Sequence, residues 1–304
     1  MAKVATARET LLSLRHEIAR IEGRLAETLA EPGETASGSM ILRRNGRIAE
    51  DTLATGADGL DAALGGGVPL AALTEIHAFQ TRDAAAASGL ALALGALLLR
   101  LREKPLLWIG TAEMFREAGF PYAPGLAQGF GIAADRLLVS QAPKLSDALW
   151  VAEEAARFPA LSAVIVELRG NPRLLDLTAT RRLHRRAQEA GRPVFLLRAG
   201  AQAEPTAAPV RLVAAPARAA KRRTLLGALD GSIGPPAFRV TVAKSRHSMP
   251  AEFTLEWNAD ERAFHERRSL REHAPDSGAV AALSADRPDQ AQAARSVLAL
   301  KGAA

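Results

Sequence analysis

Five short apolar runs, separated by helical patterns, most constrain what this chain can fold into. They are LTEIH (73–77), LLWIG (106–110), LLVS (137–140), AVIVEL (163–168) and VFLL (194–197). Helical material fills 84–102, a turn-rich stretch near 113–130, then 145–157 and 174–189. A strand with one wet face alternates apolar and polar residues, whereas a strand covered on both faces reads as an unbroken apolar run. The pattern therefore predicts an α/β fold built on a mostly parallel sheet flanked by helices. Two later segments do alternate: AFRVTVA (237–243) through Phe238, Val240 and Val242, and EFTLEW (252–257) through Phe253, Leu255 and Trp257. Joined by KSRHSMP, they predict a C-terminal antiparallel hairpin with one buried face.

Organisation outside that core follows from periodicity. Residues 1–31 predict a long N-terminal amphipathic helix. Val4, Leu11, Ile18 and Leu25 share one heptad position, and Leu14 and Ile21 share the other. Such a seam suits self-association or a partner helix. A linker is expected over 32–44, a core over 45–265 and a flexible polar tail over 266–304. The Ala/Pro/Arg-rich stretch 198–236 shows little periodicity and reads as an irregular insertion.

The charged N-terminus is no secretory leader, and the near-apolar run Ala84–Leu99 falls short of the ~20 residues of a membrane span. A soluble, cytoplasmic protein is expected. The absence of cysteine excludes disulfides, thiolate nucleophiles and Cys-ligated zinc.

Charge is unevenly placed along the chain. Residues 181–271 hold 18 Arg/Lys against 8 Asp/Glu, while the remainder is net negative, within an overall charge of +6. A basic block of this kind is the footprint of an anionic partner, nucleic acid first.

What lies between the first strand and the first long helix is equally telling. A phosphate-binding loop there reads G-x-x-x-x-G-K-[ST], because glycine amides wrap the phosphates and the lysine neutralises them. This chain reads AFQTRDAAAASG (78–89), with Gly89 its only glycine and no lysine between Lys3 and Lys104. Arg82 is the one cation available, and its planar fork is a poor substitute for a compact ammonium.

These residues carry a family likeness. TGADGLDAALGGGVP (55–69) followed by LTEIH resembles the segment preceding the P-loop of RecA recombinases. The stretch LLVSQAPKLSDALWVAEEAARFPALSAVIVEL resembles their strand–helix–strand ending in the Walker B strand, and AFRVTVAKSRHSMPAEFTLEW resembles their closing hairpin. Together with the lost P-loop and GFPYAPGLAQGFGI (119–132), the chain is similar to the inducible mutagenesis protein A family, ImuA. That resemblance covers about residues 45–265. It implies a RecA-like fold and a damage-induced accessory role in translesion DNA synthesis. The implied partners are an ImuB-like relative of Y-family polymerases and an error-prone DnaE-type polymerase, with RecA and DNA as further candidates. The cell-division inhibitor SulA and a diverged DNA-dependent ATPase are the alternatives; SulA proteins are usually much shorter.

No catalytic residue, cofactor site or metal site is expected. Glu167 stands where a Walker B carboxylate would, and Glu113 near where RecA keeps a catalytic one. Without a phosphate cradle they are expected to cap strand ends or pair with arginines. The leading DNA-phosphate candidates are Lys221, Arg222 and Arg223, with Lys244 and Arg246 in the hairpin loop. Arg181, Arg182, Arg185 and Arg186 stack at i,i+4 on one helix, and this repulsion would be relieved by DNA or an acidic partner protein. His247 has no second ligand at metal spacing. The aromatics of this region suit a core, so any nucleic-acid contact is expected to be of the backbone type.

Overall fold

The structure, a computed structural model, describes residues 51–225 and 227–267. The heptad positions Val4, Leu11, Leu14, Ile18, Ile21 and Leu25, the linker up to residue 44 and the chain beyond 267 lie outside it.

Nine strands form the main sheet, in the order β13-β12-β11-β8-β3-β7-β6-β4-β5. Its parallel part comprises β3 (Leu73–Ala78), β4 (Leu106–Thr111), β5 (Leu137–Ala142), β6 (Ala163–Arg169), β7 (Val194–Ala199) and β8 (Val210–Ala217). The antiparallel part comprises β11 (Ala237–Lys244), β12 (Ala251–Asn258) and β13 (Ala263–Arg267). Short β1 (Thr52–Leu53) and β2 (Val68–Pro69) form a separate ladder, as do β9 (Arg223–Thr224) and β10 (Gly227–Ala228). Among the described residues the helices are α1 (Asp58–Ala63), α2 (Ala84–Leu101), α3 (Ala112–Ala118), α4 (Ala123–Phe130), α5 (Leu145–Arg157) and α6 (Leu177–Ala190). A mostly parallel sheet with an antiparallel C-terminal edge, as expected of a RecA-like core, is the arrangement observed.

Each face of the sheet buries its own core. On one face, Leu90, Leu94 and Leu98 of α2 pack with Ile76, Leu197 and Leu212 and reach Phe238, Trp257 and Phe264 in the antiparallel part. On the other, α5 and α6 cover Leu73, Val166, Val194 and Leu196. Because α2 is apolar nearly all round, it passes as a membrane-span candidate by length and composition, yet it is a core helix with most of that window buried. The aromatic residues close the core edge to edge: Trp257 lies 5.0 Å from Phe264, and its Nε1 donates to the Gly129 carbonyl at 2.8 Å. Gly67 is required by close approach. It sits at φ 125°, and a Cβ there would come within 2.2 Å of the Leu53 carbonyl oxygen, so the β1–β2 ladder closes only over glycine.

One expectation is corrected. The supposedly irregular 198–236 stretch contains β8, which sits between β3 and β11 in the middle of the sheet. The sequence VRLVAAPA hides it, since alanines dilute the apolar signal and Arg211 interrupts it. Arg211 is tolerated because a carboxylate meets it inside, and Pro216 lies past Val213, the last residue paired with β3. The apolar pattern does not reveal β13 either.

Candidate functional site

Open α/β sheets bind ligands at the carboxyl ends of their parallel strands. Here the chain takes a short path across that region, with Phe79, Gln80, Thr81 and Arg82 exposed. Five residues, Phe79–Asp83, join β3 to α2, three of them in a single 3₁₀ turn. Asp83 precedes the first residue of α2 and puts a negative charge near its start, although its side chain makes no hydrogen bond to the helix amides. Arg82 is exposed beside it. The Gly200 amide donates to the Ala78 carbonyl at 2.8 Å, and the Gly170 amide to the Ala199 carbonyl at 2.8 Å, which continues the ladder over the strand ends.

Glu167, near the end of β6, does neither thing expected of it. It is buried, and its two oxygens are taken separately: Trp108 Nε1 on β4 donates to one at 2.9 Å and Ser88 Oγ on α2 to the other at 3.1 Å. Burial raises its pKa above the ordinary 4.5, against the opposing pull of the Trp108 and Ser88 hydrogen bonds. The carboxyl thus ties β6, β4 and α2 together. Glu113, in the first turn of α3, is exposed; Arg169 bonds instead to Glu117 one turn on.

A second polar cluster lies under the opposite face, where β3, β7 and β8 meet. Glu75, His77 and Arg198 are completely buried, and Arg211 nearly so. Arg211 Nε donates to Glu75 at 2.7 Å, and its Nη2 to the Thr206 hydroxyl at 3.2 Å and the Glu204 carbonyl. Burial alone would raise the Glu75 pKa, but it is lowered by its charged neighbours. His77 Nε2 at 3.6 Å is beyond hydrogen-bond reach, so Arg211 is the partner that keeps this carboxylate ionised. Arg198 Nη2 donates to Glu204 at 3.0 Å and to the Gly170 carbonyl at 3.2 Å.

The predicted phosphate contacts do not converge on one point of the fold. Lys221, Arg222 and Arg223 lie between β8 and β11, one strand later than a loop directly following β7. Lys221 and Arg222 are exposed, and Lys221 is bonded to Asp230. Exposed Leu225, Leu229 and Ile233 share this segment. Lys244 Nζ donates to the Thr206 carbonyl at 3.0 Å, and burial followed by Arg211 lowers its pKa. Arg246 and His247 occupy the β11–β12 loop, where the His247 ring packs on the Gly65 turn.

On α6 the stacked arginines already have acidic neighbours. Arg182 pairs with Glu153 of α5 at 2.8 Å, while Arg185 and Arg186 share Glu189 at 2.7 and 3.3 Å. These three therefore have part of their repulsion offset within the chain, while Arg181 is exposed on the same helix. Among the described residues, no group of three His, Asp or Glu side chains could hold a metal ion.

No family model matches the chain, and no curated protein does. Among solved structures the chain is similar to the crystal structure of the RadB recombinase, at 16% identity over 71% of this chain and 100% of that one, with a TM-score of 0.48. A likeness at this level says nothing about chemistry.

Proposed function

We propose that this chain is a non-catalytic RecA-like accessory protein of damage-induced translesion DNA synthesis, an adaptor that recruits error-prone polymerase components. The observation that carries the non-catalytic part is the short junction at the end of β3, which offers no phosphate-binding loop. A five-residue β3–α2 junction without glycine or lysine ends in Asp83, and Glu167 is engaged by Trp108 and Ser88. A triphosphate needs several backbone amides and a cation at that point, with a carboxylate free for the metal. The translesion role rests on the likeness of 45–265 to the ImuA family. The exposed residues Lys221, Arg222 and Arg181 support contact with an anionic partner.

Two measurements test this reading. The purified full chain should show no DNA-stimulated ATP turnover, and Mg²⁺–ATP should leave its thermal midpoint unchanged; robust turnover would refute the non-catalytic reading. Pulldown with the ImuB-like and DnaE-type polymerases should retain both, and loss of both would leave the adaptor role without support.

A further inference from the structure

The two edges of the main sheet are built differently. At one edge β13 carries His265, Glu266 and Arg267 in five residues, the usual protection against pairing with another chain. At the other, β5 reads LLVSQA, six residues without a charge, a proline or a glycine. Among the described residues its outer side has no strand partner, and Leu138 and Val139 are half-exposed. Beside it runs an apolar groove of about 480 Å³ between β5 and α5, lined by Leu107, Leu138, Trp150, Val151, Phe158 and Leu161. Trp150 and Phe158 are 65% and 60% exposed, so the groove leaves two large rings in water. The one charged lining residue, Glu154, is neutralised by an ion pair with Arg157 of the same helix.

We propose that β5 pairs antiparallel with β5 of a second copy of this chain about a two-fold axis, making one sheet continuous across a dimer. Three features favour a second copy. An uncharged apolar patch is self-complementary, which a two-fold interface requires. The neutralised Glu154 removes like-charge repulsion that would meet itself across the axis. The axis stands perpendicular to the sheet, so both grooves open on the same side, and Leu138, Trp150 and Phe158 of the two copies form one buried apolar seam.

Geometry also selects the register. Hydrogen-bonded and non-hydrogen-bonded pairs alternate along an antiparallel ladder, so the axis must pass through a residue paired with itself. Only centring on Val139 or on Ser140 pairs five residues of the strand. Centring on Ser140 sets Arg136 opposite Lys144 twice, a like-charge clash. Centring on Val139 sets Arg136 opposite Ala142 and Lys144 opposite Ala134, with no clash. The Val139 register is the one assigned.

The chain has no cysteine, so one engineered thiol reports on the axis directly. Under mild oxidation, full-length Val139→Cys should form a disulfide-linked dimer, because facing Cα atoms in either pair type lie about 4.5–5.5 Å apart, within disulfide reach. Ser140→Cys should not, since its symmetry mate lies two residues along, at about 8 Å. In sedimentation velocity across a concentration series, the unmodified chain should dimerise. Leu138→Lys should weaken that association at least about tenfold by placing a charge on the pairing edge. Leu174→Lys, on an exposed leucine away from the groove, serves as the control and should not. Circular dichroism melting checks that every variant is folded. A chain monomeric throughout, an association that Leu138→Lys leaves unchanged, or a Val139→Cys protein that does not cross-link would each overturn the proposal.

Discussion

Replacing Glu167 with glutamine isolates what this buried carboxyl does. In the native protein it accepts from two donors, Trp108 Nε1 and Ser88 Oγ, and burial raises its pKa. The sign of the pH effect follows. A group whose folded pKa lies above its unfolded value of 4.5 contributes stability that is full below 4.5 and is lost as pH rises through the folded value. Above that value the native state carries a buried charge with no cationic partner, and glutamine removes the charge while keeping the shape. Its carbonyl oxygen can accept from Trp108, and its amide can donate to the Ser88 hydroxyl, which can turn to accept. Glu167→Gln should therefore match the native protein in acid and become progressively more stable than it as pH rises. Removing the donor is the complementary test. Trp108→Phe deletes a hydrogen bond to a carboxylate, about 1.5–3 kcal/mol, against about 1 kcal/mol when the acceptor is a neutral amide. A double-mutant cycle should thus yield roughly 1 kcal/mol of coupling at alkaline pH, shrinking as the carboxyl protonates. Urea melts at a series of pH values read all four proteins. A Glu167→Gln protein that loses stability as pH rises relative to the native one would refute the assignment. So would one that abolishes an Mg²⁺–ATP stabilisation seen in the native protein.

Other perturbations probe the remaining elements. Substituting Lys221, Arg222 and Arg223 with alanine should weaken DNA binding and reduce the slope of log K against log salt by about 0.9 for each phosphate no longer neutralised; an unchanged slope in fluorescence anisotropy would remove these residues from the interface. Glu75→Leu strands the Arg211 guanidinium inside the sheet and should cost about 3–5 kcal/mol in chemical denaturation. The lowered pKa of Glu75 means its contribution is present above 4.5 and is lost as pH falls through the lower folded value, so the native protein should weaken in acid through this pair. Leu98→Ala, fully buried on α2, should cost about 2–5 kcal/mol, measured as a shift of the urea midpoint at constant slope.

Much of the sheet is legible in the sequence because burial on both faces forces an unbroken apolar run. β6 and β7, fully covered or nearly so, are the strands that the sequence announces most clearly, whereas β3 is just as buried yet carries Thr74, Glu75 and His77. β8 escapes because its second half is alanine and proline and its Arg211 mimics a surface residue. The signal that could find it is a carboxylate in a core strand, Glu75, which demands a buried cation somewhere in the chain. The arginines of α6 are legible as a charged face, and the Glu189 pairing with Arg185 and Arg186 is local, but not every partner is. Their i,i+4 repulsion is real, but Glu153 comes from α5, a contact that no local pattern encodes. Glu167 stands out on an apolar strand, yet its partners Trp108 and Ser88 lie 59 and 79 residues away.

Those two buried carboxylates show two ways in which this interior accommodates an acidic side chain, since burying either without a partner is costly. The two are settled differently here. Glu75 has a guanidinium from the neighbouring strand, so it remains ionised and ties β3 to β8. Glu167 has only neutral donors, and burial drives it toward the protonated form, in which it ties β6 and β4 to α2. Asp83 adds a negative charge near the start of α2, although its side chain makes no hydrogen bond to the helix amides. On this account, Asp83→Gly should reopen an anion position at the helix N-terminus and let inorganic phosphate stabilise the variant. The native protein should show no such effect in a phosphate titration followed by thermal melting. A variant as indifferent to phosphate as the native chain would mean that the Asp83 charge has no part in excluding an anion.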